Sequence, residues 1–224
     1  FLALLGHELR NPLAPIANAV SIMRLEEPAS EQMRRTRDIL ERQVAHLGRL
    51  IDDLLDVGRI VSGKVYLERN PVDLRQVVSE SVEALSSTMQ ARRHDLVVDV
   101  SSEPLVVMGD RVRLVQVLNN LLHNAAKFTP EGGRVCVTLA RRGDHAELSV
   151  ADNGPGIAPE ELSYVFKLFA QSEKSSGDHH GGLGIGLSMV HQMVKRHGGE
   201  VSAFSTGEPG RGVEFVVKLP LQAS

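Results

Sequence analysis

Apolar residues at positions 2, 5, 9, 13, 16, 20 and 23 recur three and four apart, the spacing that lays one buried stripe along a helix. Leu40, Val44, Leu47, Ile51 and Leu54 repeat it. Between the two runs, Glu26-Glu27-Pro28-Ala29-Ser30 predicts a turn, with Ser30 as N-cap of a second helix. The pattern is that of an antiparallel helical hairpin. Two long apolar seams are poorly covered by each other alone, so the hairpin is expected to pair with a second copy as a four-helix bundle, a homodimer.

The helical pattern stops near Val61-Ser62-Gly63-Lys64, and Asn70-Pro71 marks a second break. This sets a boundary between residues 1–63 and 64–224. Beyond it, helices are predicted at about 73–91, 110–127 and 185–197, with β-rich runs at 96–100, 134–140, 146–151, 200–205 and 213–219. The runs 134–140 with 146–151, and 200–205 with 213–219, are joined by short polar or glycine-rich connections and read as hairpins. The second part is therefore an α/β domain. Ser172 to Gly182 is poor in apolar residues and rich in Ser, Gly, His and charge, and is expected to be mobile.

Composition narrows the function classes more than it selects one. The chain is 42% hydrophobic and 24% charged, which excludes disordered and fibrous classes. A net charge of −3 gives no reason to expect nucleic acid. No apolar run approaches the roughly 20 residues that cross a bilayer, and Phe1-Leu-Ala-Leu-Leu is cut short by Gly6-His7-Glu8 before it could serve as a signal peptide. Cys136 stands alone, which fits a reducing compartment and a packing role. A helical pattern already running at Phe1, with no initiating Met, suggests a piece excised from a longer protein.

Two regions carry chemistry. On a helix, His7 lies about 200° from both Leu5 and Leu9, facing away from the apolar stripe. Glu8 is beside it, and Asn11 follows one turn later. Neutral imidazole is a competent nucleophile near pH 7, and a neighbouring carboxylate can hold its tautomer and stabilise the cation that forms on attack. Pro12 lacks the amide hydrogen that would bond to residue 8, so the helix should bend just past His7.

The other region is spread over three motifs. Asn120 and Asn124 sit four apart on a helix with Lys127 one turn further, and amide oxygens suit a hard ion such as Mg²⁺. Asp152, at the end of a β run, opens Asp152-Asn153-Gly154-Pro155-Gly156, where a carboxylate can accept a hydrogen bond from the amine of adenine. Gly182-Leu183-Gly184-Ile185-Gly186-Leu187 opens a helix whose bare amides can receive phosphate oxygens. No Walker lysine-serine pair and no βαβ dinucleotide fingerprint is present.

In order and spacing these three motifs resemble the N, G1 and G2 boxes of the ATP-binding domain of sensor histidine kinases, and Gly6-His7-Glu8-Leu9-Arg10-Asn11-Pro12-Leu13 resembles the family's phosphoacceptor motif. The resemblance implies a dimerisation and phosphoacceptor domain at 1–63 followed by a catalytic domain at 64–224, a two-layer α/β sandwich of the GHKL (Bergerat) type. It implies ATP and Mg²⁺ as cofactors, with Asn124 on the metal, Asn120 among the nucleotide-binding residues, Lys127 beside the phosphates, Asp152 on adenine with Gly154 and Gly156 shaping its loop, and Gly182 to Leu187 on the phosphates. It makes His7 the phosphate acceptor assisted by Glu8, and gives Asn11 a possible part in dephosphorylating a response regulator. Phe166 and Phe169 resemble the F box that packs the lid, though both also read as plain core aromatics.

Related gyrase, Hsp90 and MutL ATPases place a water-activating glutamate where this chain has Asn120, which implies transfer to histidine rather than hydrolysis. The expected activity is ATP-dependent phosphorylation of His7 and transfer to a receiver-domain aspartate, in the cytoplasm, with any membrane anchor outside this fragment. A second reading is a signalling scaffold or phosphatase-biased switch with little kinase activity. Gly6, where many relatives have Ser, and Val213-Glu214-Phe215, where Thr often precedes the aromatic, depart from the pattern.

Overall fold

The computed structural model describes residues 15–16, 18–20, 22–23, 30–41, 43–44, 47–48, 67–170 and 184–222. The chain divides into two compact units, Phe1–Val65 and Tyr66–Ser224.

In the first unit the described segments before Pro28 and after Ser30 are helical. Ser30 caps the second of them, its hydroxyl accepting the N–H of Met33 at 3.2 Å while its carbonyl accepts that of Arg34 at 3.1 Å. Val20 is buried, whereas Ile16, Met23, Leu40 and Leu47, all on the predicted stripes, are exposed in the single chain.

In the second unit, strand β1 (Asn70–Asp73) leads into helix α1 (Leu74–Ala91), followed by β2 (Asp95–Val100), β3 (Val106–Gly109), α2 (Arg111–Phe128), β4 (Arg134–Arg142) and β5 (His145–Asp152). A single turn, α3 (Pro159–Leu162), then helix α4 (Gly186–Arg196), β6 (Glu200–Phe204) and β7 (Glu214–Pro220) complete it. The main sheet has the order β2-β4-β5-β7-β6, with β2 parallel to β4 and the other pairs antiparallel. Parallel pairing of β2 with β4 needs a long crossover, which α2 supplies. The predicted β4/β5 and β6/β7 hairpins both form.

Each long helix presents one apolar face. Asp73 and Asp110 cap α1 and α2 by accepting the N–H of Arg75 and Arg113. Leu114, Val117, Leu118, Leu121, Leu122, Ala125 and Ala126 bury one side of α2, and Met189, Val190, Met193 and Val194 do the same on α4. They meet Val135, Val137 and Leu139 of β4, Leu148 and Val150 of β5, and Phe215, Val217 and Leu219 of β7 in a core whose members are under 5% exposed. Each buried Leu side chain contributes about 1.5–3 kcal/mol of transfer free energy. The result is a helical layer on a sheet, the predicted two-layer arrangement.

Three elements are missing from the sequence reading. β1 pairs antiparallel with β3 in a separate ribbon, in register Asn70 to Gly109. Four residues of each strand, one beginning Asn-Pro, are too short for a period-2 signal to be read. Pro159–Leu162 is likewise a single turn, below the length at which periodicity is visible.

Candidate nucleotide site

Helix α2 carries the first group of predicted residues. Its buried stripe turns Asn120, Asn124 and Lys127 away from the fully buried positions, and all three are half-buried. Burial lowers the Lys127 pKa below its ordinary value, and its ammonium lies 4.5 Å over the Phe128 ring.

The Asp152 loop leaves β5 at the end of the sheet and packs against the end of α2. A Cβ at Gly154 would stand 2.9 Å from Asp152 Oδ1 and 3.0 Å from the Phe128 carbonyl oxygen, tighter than ordinary contact. The Gly154 N–H donates to Asp152 Oδ1 at 2.8 Å. Burial nevertheless pushes the Asp152 carboxyl above its usual range, against the opposing pull of its hydrogen bonds with Gly154 and Val213. Asn153 holds the other side of the turn, its Oδ1 accepting the Arg134 N–H at 2.7 Å.

The start of α4 approaches the same helix. A Cβ at Gly186 would meet Asn120 Oδ1 at 3.4 Å. Gly184 has φ of +68°, and a Cβ there would lie 2.5 Å from the Ala170 carbonyl oxygen. Ile185, the N-cap, makes no side-chain capping bond. The Ser188 hydroxyl donates back to the Ile185 carbonyl at 2.7 Å, so it does not cap the helix either. Orphan amides at such an end suit an anion.

Of the predicted residues, Asn120, Asn124, Lys127, Asp152, Gly154, Gly156, Gly184, Ile185, Gly186 and Leu187 are brought to one end of the sheet and its helical layer. Ile185 is buried as a core residue at 1% exposure, and Leu187 is half-buried. His7, Glu8, Asn11, Gly182 and Leu183 lie outside the described residues, as does the whole of the 172–182 segment. Phe166 and Phe169 divide: Phe166 stacks on His191 at 5.8 Å and edge-on to Phe215 at 6.2 Å, while Phe169, at φ of +63°, is 58% exposed.

Sequence reasoning missed the segment from Ser205 to Val213, which forms the outer wall of the Asp152 loop. The Gly210 and Gly212 N–H groups donate to the Gly154 carbonyl at 2.9 and 3.2 Å, and the Asp152 N–H donates to that of Val213 at 3.0 Å. The spacing Gly207-x-x-Gly210-x-Gly212 was the available signal.

A five-stranded sheet backed on one face by helices, with asparagine, aspartate and glycine boxes gathered at one end, defines an ATP-binding domain of the GHKL class. Residues 109–223 match the family described as Histidine kinase-, DNA gyrase B-, and HSP90-like ATPase, and residues 1–63 match the His Kinase A (phospho-acceptor) domain. The chain is 36% identical over 221 residues to the probable sensor histidine kinase TcrY of Mycobacterium tuberculosis, covering 99% of this chain and 45% of that protein. It is 37% identical over 225 residues to the signal transduction histidine-protein kinase/phosphatase MprB of Mycobacterium avium, covering 96% and 41%. Full-length ShkA in complex with AMPPNP superposes with a TM-score of 0.80 at 30% identity, over 100% of this chain and 46% of that one. The chain belongs to the sensor histidine kinases, and it spans less than half the length of these relatives.

Proposed function

We propose that this chain is the catalytic portion of a sensor histidine kinase that transfers the γ-phosphoryl group of ATP to His7 and from there to an aspartate of a response-regulator receiver domain. The observation that carries the reading is the convergence on α2 of the other two boxes, Gly186 against Asn120 and Gly154 against Phe128.

ATP fits the site because its walls are bare backbone where phosphate must approach and carboxylate where an amine must be bound. Asp152 accepts from the adenine amine. The uncapped start of α4 and the Lys127 ammonium hold phosphate oxygens. Among the described residues no cluster of three or more His, Cys, Asp or Glu could hold a metal, so Mg²⁺ would rest on the Asn124 amide oxygen and on the phosphates, as this ion commonly does. When bound, it neutralises charge on the transferring phosphoryl group.

His7 attacks through one ring nitrogen while Glu8 keeps the other protonated and stabilises the imidazolium. The bond from phosphorus to the bridging oxygen breaks as the bond from nitrogen to phosphorus forms, and ADP leaves. Asn120 supplies no carboxylate to activate water, which favours the histidine over hydrolysis. Asn11, together with the kinase/phosphatase designation of MprB, supports a second activity, dephosphorylation of the receiver.

Residues 1–63 serve as the dimerisation and phosphoacceptor domain and 64–224 as the catalytic domain. The exposed Ile16, Met23, Leu40 and Leu47 support a homodimer that covers them in a bundle. No helix among the described residues is long and apolar enough to cross a membrane, and a cytoplasmic setting follows from the need for ATP and Mg²⁺. A chase tests the transfer: the chain labelled from γ-labelled ATP is freed of nucleotide and mixed with a receiver domain. Label moving to the receiver supports the reading, and label held on the chain or released without any having formed contradicts it.

A further inference from the structure

Ser205 follows the last residue of β6, and its hydroxyl is saturated. It donates to the Gly212 carbonyl at 2.7 Å and accepts the N–H groups of Ile157 at 3.0 Å and Gly207 at 3.2 Å. A hydroxyl offers one donor and two acceptor sites, so all its capacity is used. Two of these bonds close the 205–212 turn on itself, and the third reaches 48 residues back along the chain to the end of the Asp152 loop.

Both loops are shaped around this atom. Gly156 has φ of +75°, and a Cβ there would lie 2.9 Å from Ser205 Oγ. Gly212 has φ of +65°, and a Cβ there would collide with the Asp152 carbonyl oxygen. Gly210 and Gly212 to Gly154 and the Asp152 N–H to Val213 bond backbone to backbone across the junction, and the Asp152 carboxyl also takes a bond from the Val213 backbone. Ser205 thus ties the far end of the Asp152 loop by a side chain, while backbone bonds tie the near end.

We propose that Ser205 is a positioning residue for base recognition: by holding Ile157 and Gly212 together it fixes the loop that aims the Asp152 carboxylate at the amine of adenine. The inference rests on the reading of Asp152 as the base-recognition carboxylate. Loss of the hydroxyl leaves the Ile157 N–H and Gly212 carbonyl to find other partners, and the loop between Asp152 and Ile157 gains freedom that must be lost again when base binds. The phosphate side, on α2 and α4, makes none of these bonds and keeps its geometry. Base discrimination should therefore fall while triphosphate binding persists.

The test titrates ATP and GTP with Mg²⁺ against the full chain by calorimetry, for wild type, Ser205→Ala, Ser205→Cys and Asp152→Ala. ATP affinity is expected to fall about tenfold in Ser205→Ala with GTP affinity little changed, and by less in Ser205→Cys, whose thiol keeps a weaker donor and acceptor. Should Ser205→Ala fail to fold, Ser205→Cys decides alone, since a narrowed ATP to GTP ratio supports the proposal and an unchanged ratio overturns it. Wild-type ratios in the Ser205 variants with ATP binding lost in Asp152→Ala overturn the role of Ser205 only. ATP binding retained in Asp152→Ala overturns the base-recognition reading and the inference with it.

Discussion

The ring of His197 accepts the Asp110 N–H through Nε2 at 3.0 Å, and its Nδ1 lies 2.7 Å from the Met193 carbonyl oxygen. One tautomer satisfies both contacts, with Nδ1 protonated as the donor and Nε2 bare as the acceptor. His197 follows α4 and Asp110 caps α2, so a single buried imidazole links the ends of the two helices that carry the residues proposed to hold phosphate. The fit is close: a Cβ at Gly109 would lie 2.7 Å from the His197 ring.

This bond predicts a pH dependence of stability. Burial lowers the pKa of His197 below its usual 6.5, so the folded state favours neutral imidazole and the unfolded chain binds more protons as acid is added. The contribution is fully present above about pH 6.5 and is lost as pH falls from there through the folded-state value. Burial also lowers His191, with Lys195 acting in the same direction, which adds to the trend. Thermal unfolding from pH 8 to pH 5 should show a falling midpoint below about 6.5, with a shallower slope in His197→Gln. An unchanged slope in that variant would remove His197 from the explanation.

Gly132 and Gly212 have similar positive φ, +76° and +65°, in opposite surroundings. Alanine at Gly132 meets nothing within 4 Å, so it pays only the left-handed backbone cost, about 1–2 kcal/mol. Alanine at Gly212 adds a collision with the Asp152 carbonyl oxygen and must displace the loop. Denaturant unfolding should show a loss for Gly212→Ala at least about 2 kcal/mol greater than for Gly132→Ala, comparable to removing other strained or buried features. ATP affinity should fall in the former alone.

Asp152→Asn should separate binding from stability. The fold favours a protonated Asp152, whose pKa burial raises, so its charge opposes folding at neutral pH and that penalty fades as pH falls through the raised value. An amide removes the charge and can still accept the Gly154 N–H through Oδ1. The unfolding midpoint of the ligand-free variant at pH 7 should equal or exceed that of wild type, while ATP affinity drops at least about tenfold as one acceptor becomes a donor facing the adenine amine. A lower midpoint with ATP affinity intact would be the contrary result.

What could be read from sequence follows from how far each signal reaches along the chain. The stripes of α1, α2 and α4 and the two hairpins are local periodicities, and Ser30 announces its helix within three residues. The Asp152 loop was legible as far as Gly156, because aspartate and closely spaced glycines are local too. Its outer wall was not: the reach from Ser205 to Ile157 depends on β7 pairing with β5 and bringing Val213 beside Asp152. His197 was silent for the same reason, since nothing near it in sequence predicts a bond to Asp110. Phe166 and Phe169 share one motif and differ in exposure because only the first meets His191 and Phe215.

The most direct measurement is phosphorylation of the chain itself. Wild type and His7→Gln are incubated with γ-labelled ATP and Mg²⁺, and the label is tested for acid lability and alkali stability, the signature of a phosphorus–nitrogen bond. The expected result is stable incorporation into wild type and none into His7→Gln, with both binding ATP equally. Label that persists in His7→Gln, or inorganic phosphate released with no labelled chain, would contradict transfer to histidine.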